Sequence, residues 1–358
     1  MKNYKQKTLK IFLIKLAIFV CLSALIFASL FFSTSIERFL NGTQFFASTE
    51  FVNSSYSVHY IDVGQGDCSF IKVGNKCIMI DAGTKDSAKN ITRYLNQLNY
   101  FSGDKIDYLI LTHTDSDHIG GAEHLLDYFK FENIYRPKVY SSFEVENNLN
   151  TQDFNTDTSL LWSNVTQKIL VENANIFYSF RGESIIHNDF KINFYSPFKN
   201  KIENSNDYSP IIMLEVSGKK LIFMGDASAQ IEGEFLLEYS QEIYENLFDC
   251  DILKVAHHGS KNSSTQAFLN AVKPEFAIVS CGLENSYGHP SNEVINNLEN
   301  INCNIFRTDT MGSVVAYESD AEICLESGFN FITSIYFEWW VFVVSFEIIL
   351  VFVLFFKI

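Results

Sequence analysis

Three short apolar runs in this sequence each stop at side chains that bind metals, so the chain must fold in a way that brings the ends of separate strands together. The first run, Ile106 to Leu111, leads into Thr112-His113-Thr114-Asp115-Ser116-Asp117-His118-Ile119-Gly120-Gly121. Here His113, Asp115, Asp117 and His118 follow a strand and precede Gly-Gly, where a loop can aim them at one point. An aspartate-rich helix cap would explain Asp117 but not two histidines. The second run, Leu221 to Met224, ends in Gly225-Asp226 and delivers a carboxylate that can bridge two cations roughly 3.5–4 Å apart. Alone, an aspartate in that position more often caps a turn. The third run, Ile252 to Val255, continues into Ala256-His257-His258-Gly259-Ser260. Neighbouring residues on a strand point to opposite faces, so one histidine of the pair is the expected ligand. His257, at the strand tip, takes that place and His258 is left for substrate or proton transfer; the reverse assignment stays open.

Around these runs the pattern is of hairpins first and β/α alternation second. Ser57 to Val63, Cys68 to Val73 and Lys76 to Asp81 read as strands, with a turn at Gly74-Asn75. Lys85 to Leu98, Gly121 to Phe129 and Leu160 to Glu172 have helical spacing. A hairpin spans Ile185 to Tyr195 and another turns at Ser217-Gly218. After that, the helices Gln230 to Tyr239, Thr265 to Val272 and Asn292 to Glu299 alternate with strands, and the last strands fall near Asn304 to Arg307 and Ser313 to Tyr317. Twice hairpins, twice alternation: the expected architecture is α/β, two sheets face to face with helices outside.

The 358 residues leave room for more than this domain. Residues 11–32 are apolar for about the length that crosses a bilayer and follow Lys2, Lys5, Lys7 and Lys10. A signal peptide is the competing reading, against which stand the run's length and its Phe-rich exit. Residues 335–356 form a second expected span, with Trp339 and Trp340 at an interface position, and Glu347 there either approaches Lys15 of the first span or stays protonated. The expected order is a cytoplasmic segment 1–10, a span 11–32, a linker 33–55, a domain 56–328 outside the cytoplasm, and a span 335–356. Seven cysteines contain no C-x-x-C pair, which speaks against a structural zinc knuckle, and at apolar strand positions they read as buried thiols rather than disulfides. A net charge of −15 excludes a broadly basic nucleic-acid surface.

Other histidines have plainer readings. His59 in a strand, His124 on a helix and His187 in a hairpin turn are expected to be structural or exposed. His289, in Asn285-Ser286-Tyr287-Gly288-His289-Pro290, can line a site or not on this reading.

Taken in order, Asp62-Val63-Gly64-Gln65-Gly66-Asp67, Asp81-Ala82-Gly83, His113-x-Asp-x-Asp-His118-x-Gly-Gly, Gly225-Asp226, His257-His258-Gly259-Ser260, Tyr287-Gly288-His289-Pro290 and Thr308-Asp309 with Gly312 resemble the metallo-β-lactamase-fold domain of ComEC-type DNA-uptake proteins. The resemblance covers roughly residues 57–318. It implies a four-layer αββα sandwich and a part in degrading one DNA strand during uptake. Carried over, it puts His113 and Asp115 on one divalent cation, Asp117, His118 and His257 on another, and Asp226 between them. It makes Asp81 a support residue behind the metal loop, set with His258 and His289 among the catalytic group, and Asp62 a loop-ordering carboxylate, with Ser260 beside the histidine pair. Asp115 stands where many relatives have a second histidine, and no suitably placed histidine supplies the usual third ligand, leaving Asn206 and Ser209 as the side chains to approach. An oxygen-rich site of that kind favours manganese or magnesium, with zinc still open. ComEC-type proteins also carry a many-helix channel, whereas this chain has two expected spans, which speaks against DNA import by this polypeptide alone.

The expected chemistry is attack on a phosphodiester of single-stranded DNA by water that the cations activate, with His258 or His289 assisting the leaving group. Two rivals remain: hydrolysis of a small extracellular phosphodiester, ester or lactam, which the acidic charge favours, and a non-catalytic membrane receptor or scaffold with a relic site. Lipid and partner membrane proteins are the other expected contacts.

Overall fold

The computed structural model describes residues 51, 54–147, 155–239 and 248–329. Segments 1–10, 11–32 and 335–356, most of the linker 33–55, and Lys15 and Glu347 with them, lie outside the described residues. Among the described residues, no helix is long and apolar enough to cross a membrane. The chain divides into one compact unit of residues 49–94 and 103–333 and a second of 1–48, 95–102 and 334–358. Of the second unit only 95–102 are described: the last residues of helix Ala88–Gln97 and the turn after it.

In the first unit the described strands form two large sheets and a small one. One sheet has eight strands in the order Glu322–Phe329, Ser313–Ser319, Tyr56–Tyr60, Ser69–Val73, Lys76–Ile80, Lys105–Ile110, Lys130–Arg136 and Asn175–Tyr178. The other has seven, in the order Asn304–Arg307, Phe276–Val279, Ile252–Lys254, Lys219–Phe223, Ile212–Val216, Phe190–Phe194 and Ser184–Ile186. Each sheet is antiparallel where hairpins build it and parallel where helices return the chain: Lys76–Ile80 pairs in parallel with Lys105–Ile110, as Lys219–Phe223 does with Ile252–Lys254.

Alternation decides which side chains meet between the sheets. Val58, Tyr60, Ile71 and Ile78 from one sheet share a buried cluster with Ile192, Leu214, Leu221 and Phe223 from the other. Tyr60 stacks on Phe223 across the gap, with ring centres 5.8 Å apart. Burying a ring of that size stabilises the fold by about 2–3 kcal/mol. Ile222, Leu253 and Ala277 point the other way, into a second cluster with Phe235, Leu269 and Leu298 of helices Ala229–Tyr239, Gln266–Val272 and Asn292–Glu299. Strands covered on both faces read as continuous apolar runs. This is the expected α/β sandwich.

Other strands carry little signal of their own. Lys130–Arg136 mixes Lys, Glu and Asn with its apolar residues, and the edge strand Asn175–Tyr178 is largely exposed, so neither shows a buried face in sequence. The pair Val139–Ser141 and Asn155–Asp157 forms within a polar, Asn-rich stretch that gives no strand pattern. Cys68, Cys77, Cys250, Cys281 and Cys303 are free buried thiols, and Cys324 is a half-buried one.

Candidate metal centre

Parallel strands have their carboxyl ends on one side, and loops leaving those ends open on the same place. Asp81 follows Lys76–Ile80, His113 comes shortly after Lys105–Ile110, Asp226 after Lys219–Phe223, and His257 and His258 after Ile252–Lys254.

Asp81 sits beneath the cluster. It adopts a left-handed backbone, φ 59°, which costs a non-glycine residue about 1 kcal/mol or more and is typical of functional sites. That turn aims its carboxylate back at the metal loop. Oδ1 accepts the Thr112 N–H at 2.8 Å, while Oδ2 accepts the Thr112 hydroxyl at 2.8 Å and lies 2.8 Å from His118 Nδ1. A carboxylate at Nδ1 holds the proton there and leaves Nε2 bare toward the cleft. His113 is set the same way: its Nδ1 is 3.0 Å from Thr112 Oγ1 and 3.2 Å from Ser209 Oγ. Ser209 also accepts the Asp226 N–H at 2.9 Å, so it stands behind His113 and Asp226.

Asp226 is the hub. Its Oδ1 lies 3.0 Å from His118 Nε2. Its Oδ2 lies 3.8, 3.6 and 3.7 Å from Nε2 of His113, His257 and His258. Asp115 reaches His113 Nε2 at 3.8 Å with a side chain 41% exposed, and Asp117 reaches His258 Nε2 at 3.2 Å.

Both histidines of the pair face this hub, contrary to the strand-alternation argument. The strand ends at Lys254, and Ala256–Gly259 is a tight turn in which His257 and His258 have φ of 50° and 55°. Left-handed backbone removes the alternation of a pleat, so consecutive rings can share a side. His258 is the deeper ring: its Nδ1 donates to the Ser280 carbonyl at 2.9 Å, leaving Nε2 for Asp117 and Asp226. Ser260 closes the turn, its N–H donating to the His257 carbonyl at 2.8 Å.

Asp67 is a candidate ligand that sequence reasoning does not single out. Asp67, His118, Asp226 and His258 are buried and each offers one ligand atom, all within 4.8 Å of one another. Asp67 arrives on the loop that Asp62 orders by accepting the Gly64 N–H at 3.0 Å. The Asp67 N–H donates to the Asp117 carbonyl at 3.1 Å, so this loop lies directly on the metal loop. A Cβ at Gly66 would stand 2.4 Å from that carbonyl oxygen. Gly66→Ala is therefore expected to cost about 1–3 kcal/mol of stability and to lower metal affinity; equal unfolding midpoints and equal calorimetric affinities for the two proteins would refute it. The signal in sequence was the Gly-Gln-Gly-Asp spacing, but only the packed loop shows where its aspartate goes.

His289 lines the cleft, its ring centre 5.7 Å from that of His257 and 6.3 Å from that of His258. Burial and the neighbouring His258 and His257 push its imidazole down to about 4. Asn206 lies in the turn Ser205–Tyr208, its N–H on Asn204 Oδ1 at 3.3 Å, and no contact with the cluster is described for it. His59 is buried between Ser57 and Tyr94, and His187 sits in its hairpin beside Phe190.

Two observations show that these residues fit a cation. Nε2 of His113, Nε2 of His118, Oδ1 of Asp67 and Oδ1 of Asp226 are buried and make no hydrogen bond. The field is also strongly negative. Burial lowers the His258 imidazole, yet Asp226 and Asp67 outweigh it and raise it to about 10; His118 is likewise held well above its ordinary value by Asp226 and Asp81. A divalent ion supplies the charge that these protons otherwise would.

Residues 61–283 match the Metallo-beta-lactamase superfamily model, and the chain belongs to that superfamily, a metal-dependent hydrolase fold. Among curated proteins it is 28% identical over 278 residues to ComE operon protein 3 of Bacillus subtilis, covering 74% of this chain and 33% of that protein. It is 28% identical over 257 residues to Competence protein ComA of Neisseria gonorrhoeae, covering 71% and 31%. Recombination protein 2 of Haemophilus influenzae is 26% identical over 262 residues, covering 73% and 28%. The resemblance to ComEC-type competence proteins thus holds, and the chain spans about a third of the length of these relatives.

Proposed function

We propose that this chain is a membrane-anchored phosphodiesterase that hydrolyses single-stranded DNA outside the cytoplasm with two divalent cations, manganese or zinc. The convergence of bare buried imidazole nitrogens and carboxylate oxygens around Asp226, which with His257 and His258 lines an open cleft of about 750 Å³, carries this reading. His113 and Asp115 would hold one cation, Asp117, His118 and one or both of His257 and His258 the other, with Asp226 shared and Asp67 beside the second. When bound, the ions supply a nucleophile at neutral pH and stabilise charge on the phosphoryl oxygens.

The protein's own groups do the positioning. Asp81 and Thr112 fix the rings of His118 and His113, and the Ser280 carbonyl fixes His258, so the site is built before substrate arrives. His289, neutral at neutral pH, is placed on the cleft wall to hydrogen-bond the leaving oxygen. Anchoring rests on the apolar runs 11–32 and 335–356, and the relatives' competence names support DNA over other phosphodiesters.

One observation favours a small extracellular phosphodiester, ester or lactam instead: no Lys or Arg is among the described residues lining the cleft, while Asp115, Asp157 and Glu203 are. Full-length protein stripped by a chelator is expected to cut a labelled single strand only when Mn²⁺ or Zn²⁺ is returned, with a gain of at least about a hundredfold. Loaded protein that leaves the strand intact but opens a small substrate establishes the second reading. Loaded protein that hydrolyses none of them overturns both.

A further inference from the structure

No Lys or Arg is among the described residues lining the cleft, so none of these residues holds a strand by pairing with its phosphates. Beside the carboxylates of Asp115, Asp157 and Glu203, the walls offer neutral groups that can meet a base. Gln65, Asn155, Thr156, Thr158 and Ser159 present amides and hydroxyls, and Tyr287 presents an aromatic ring. Tyr287 is 70% exposed, whereas Tyr208, the other tyrosine on the described lining, is buried.

Its position is fixed from behind. The Asn285 side chain accepts the N–H groups of Tyr287 at 3.2 Å and His289 at 3.0 Å and donates to the Gly282 carbonyl at 2.8 Å. One face of the Tyr287 ring lies against His289, with centres 5.7 Å apart and planes 24° from parallel. His289 in turn lies 6.3 Å from His258 at 27°. Two successive stacked pairs therefore step from the rim of the cleft down to His258. A planar group on the outer face of Tyr287 would extend that series and sit two rings from His258.

We infer that Tyr287 is the platform on which an unpaired nucleobase stacks at the rim of the cleft that leads to the candidate metal centre. The inference rests on the phosphodiesterase reading above and narrows it to substrates that carry a free base, either a single strand or a short dinucleotide. Paired bases keep their faces inside the duplex, so a double strand is excluded by the same geometry. Stacking of a base on an aromatic side chain changes affinity by roughly ten- to a hundredfold.

The test uses the full-length, metal-loaded protein and fluorescence anisotropy with uncleavable phosphorothioate probes: oligothymidine, an abasic strand of equal length and charge, a duplex, and a thymidine dinucleotide. Wild type is expected to bind oligothymidine about tenfold or more tightly than the abasic strand. Tyr287→Ala should erase that difference while leaving abasic binding unchanged, and Tyr287→Phe should keep it. Equal binding of base-bearing and abasic strands by wild type, or equal weakening of both in Tyr287→Ala, overturns the proposal. Dinucleotide binding as strong as that of the long strand identifies a small substrate; a large gain with length identifies DNA, and both support the platform. Hydrolysis of cleavable strands separates the two proposals. Base discrimination without any cleavage upholds the platform and sinks the phosphodiesterase, whereas cleavage with identical KM for base-bearing and abasic strands sinks the platform alone.

Discussion

Asp226→Asn is expected to lower hydrolysis by about a thousandfold or more and to remove at least one bound cation, with the fold retained. That loss corresponds to the several kcal/mol that a catalytic cation contributes. The substitution preserves shape but takes away the charge around which Nε2 of His113, His118, His257 and His258 gather at 3.0–3.8 Å. Burial would raise the Asp226 carboxyl, yet His118 and His258 hold it well below the usual carboxylate range, so it is an anion at any working pH. No other carboxylate is described within reach of all four rings. Turnover of a generic phosphodiester, metal content by elemental analysis and circular dichroism check the three parts. Full metal content in the variant would show that Asp226 is not shared between the ions.

Lys254→Met is expected to destabilise the metal-free protein by about 3–5 kcal/mol, the cost of leaving a buried charge without its partner. Lys254 Nζ lies 2.7 Å from Asp67 Oδ2, with side chains only 3% and 7% exposed, and donates also to the Val255 carbonyl at 3.0 Å. Replacing both residues, Lys254→Met with Asp67→Leu, should restore most of the loss because no orphan charge remains. Burial alone would push the Asp67 carboxyl up, but Lys254 and His258 hold it far below the ordinary value. Its contribution is therefore whole above the unfolded value of about 3.9 and is lost as the pH falls below that toward the depressed folded value. Urea unfolding at several pH values without metal measures this, since a bound ion would add its own stabilisation. A single variant within 1 kcal/mol of wild type would falsify the claim that a charge left alone at this buried position is costly.

How far the site could be read from sequence varied with how local each contact is. His113, Asp115, Asp117 and His118 lie on one loop between a strand and Gly-Gly, and a Cβ at Gly121 would stand 2.2 Å from the Ala82 carbonyl, so the glycine marks where that loop packs. Asp226 was legible because an apolar strand runs straight into it. That both His257 and His258 face Asp226 is not legible in sequence, because the backbone turns left-handed there and the torsions of the residues before Gly259 are not written in residue type. Asp67 is not legible in sequence because its reach depends on the close approach of Gly66 to the Asp117 carbonyl, a contact across 51 positions of chain.

Residue chemistry and the periods of apolar residues were enough, unaided, to say that strand ends rich in imidazole and carboxylate converge, that two sheets pack face to face, and that the surface is not broadly basic. Those properties belong to short windows, and short windows hold them. Tertiary structure alone decided that Lys254 neutralises Asp67 from 187 residues away, that both histidines of the pair face Asp226, and that the cleft wall has an exposed tyrosine but no described Lys or Arg. Each of these depends on sheet register and on torsions at a few turn residues, where one residue of slip or a change in the sign of φ would point the same side chain elsewhere.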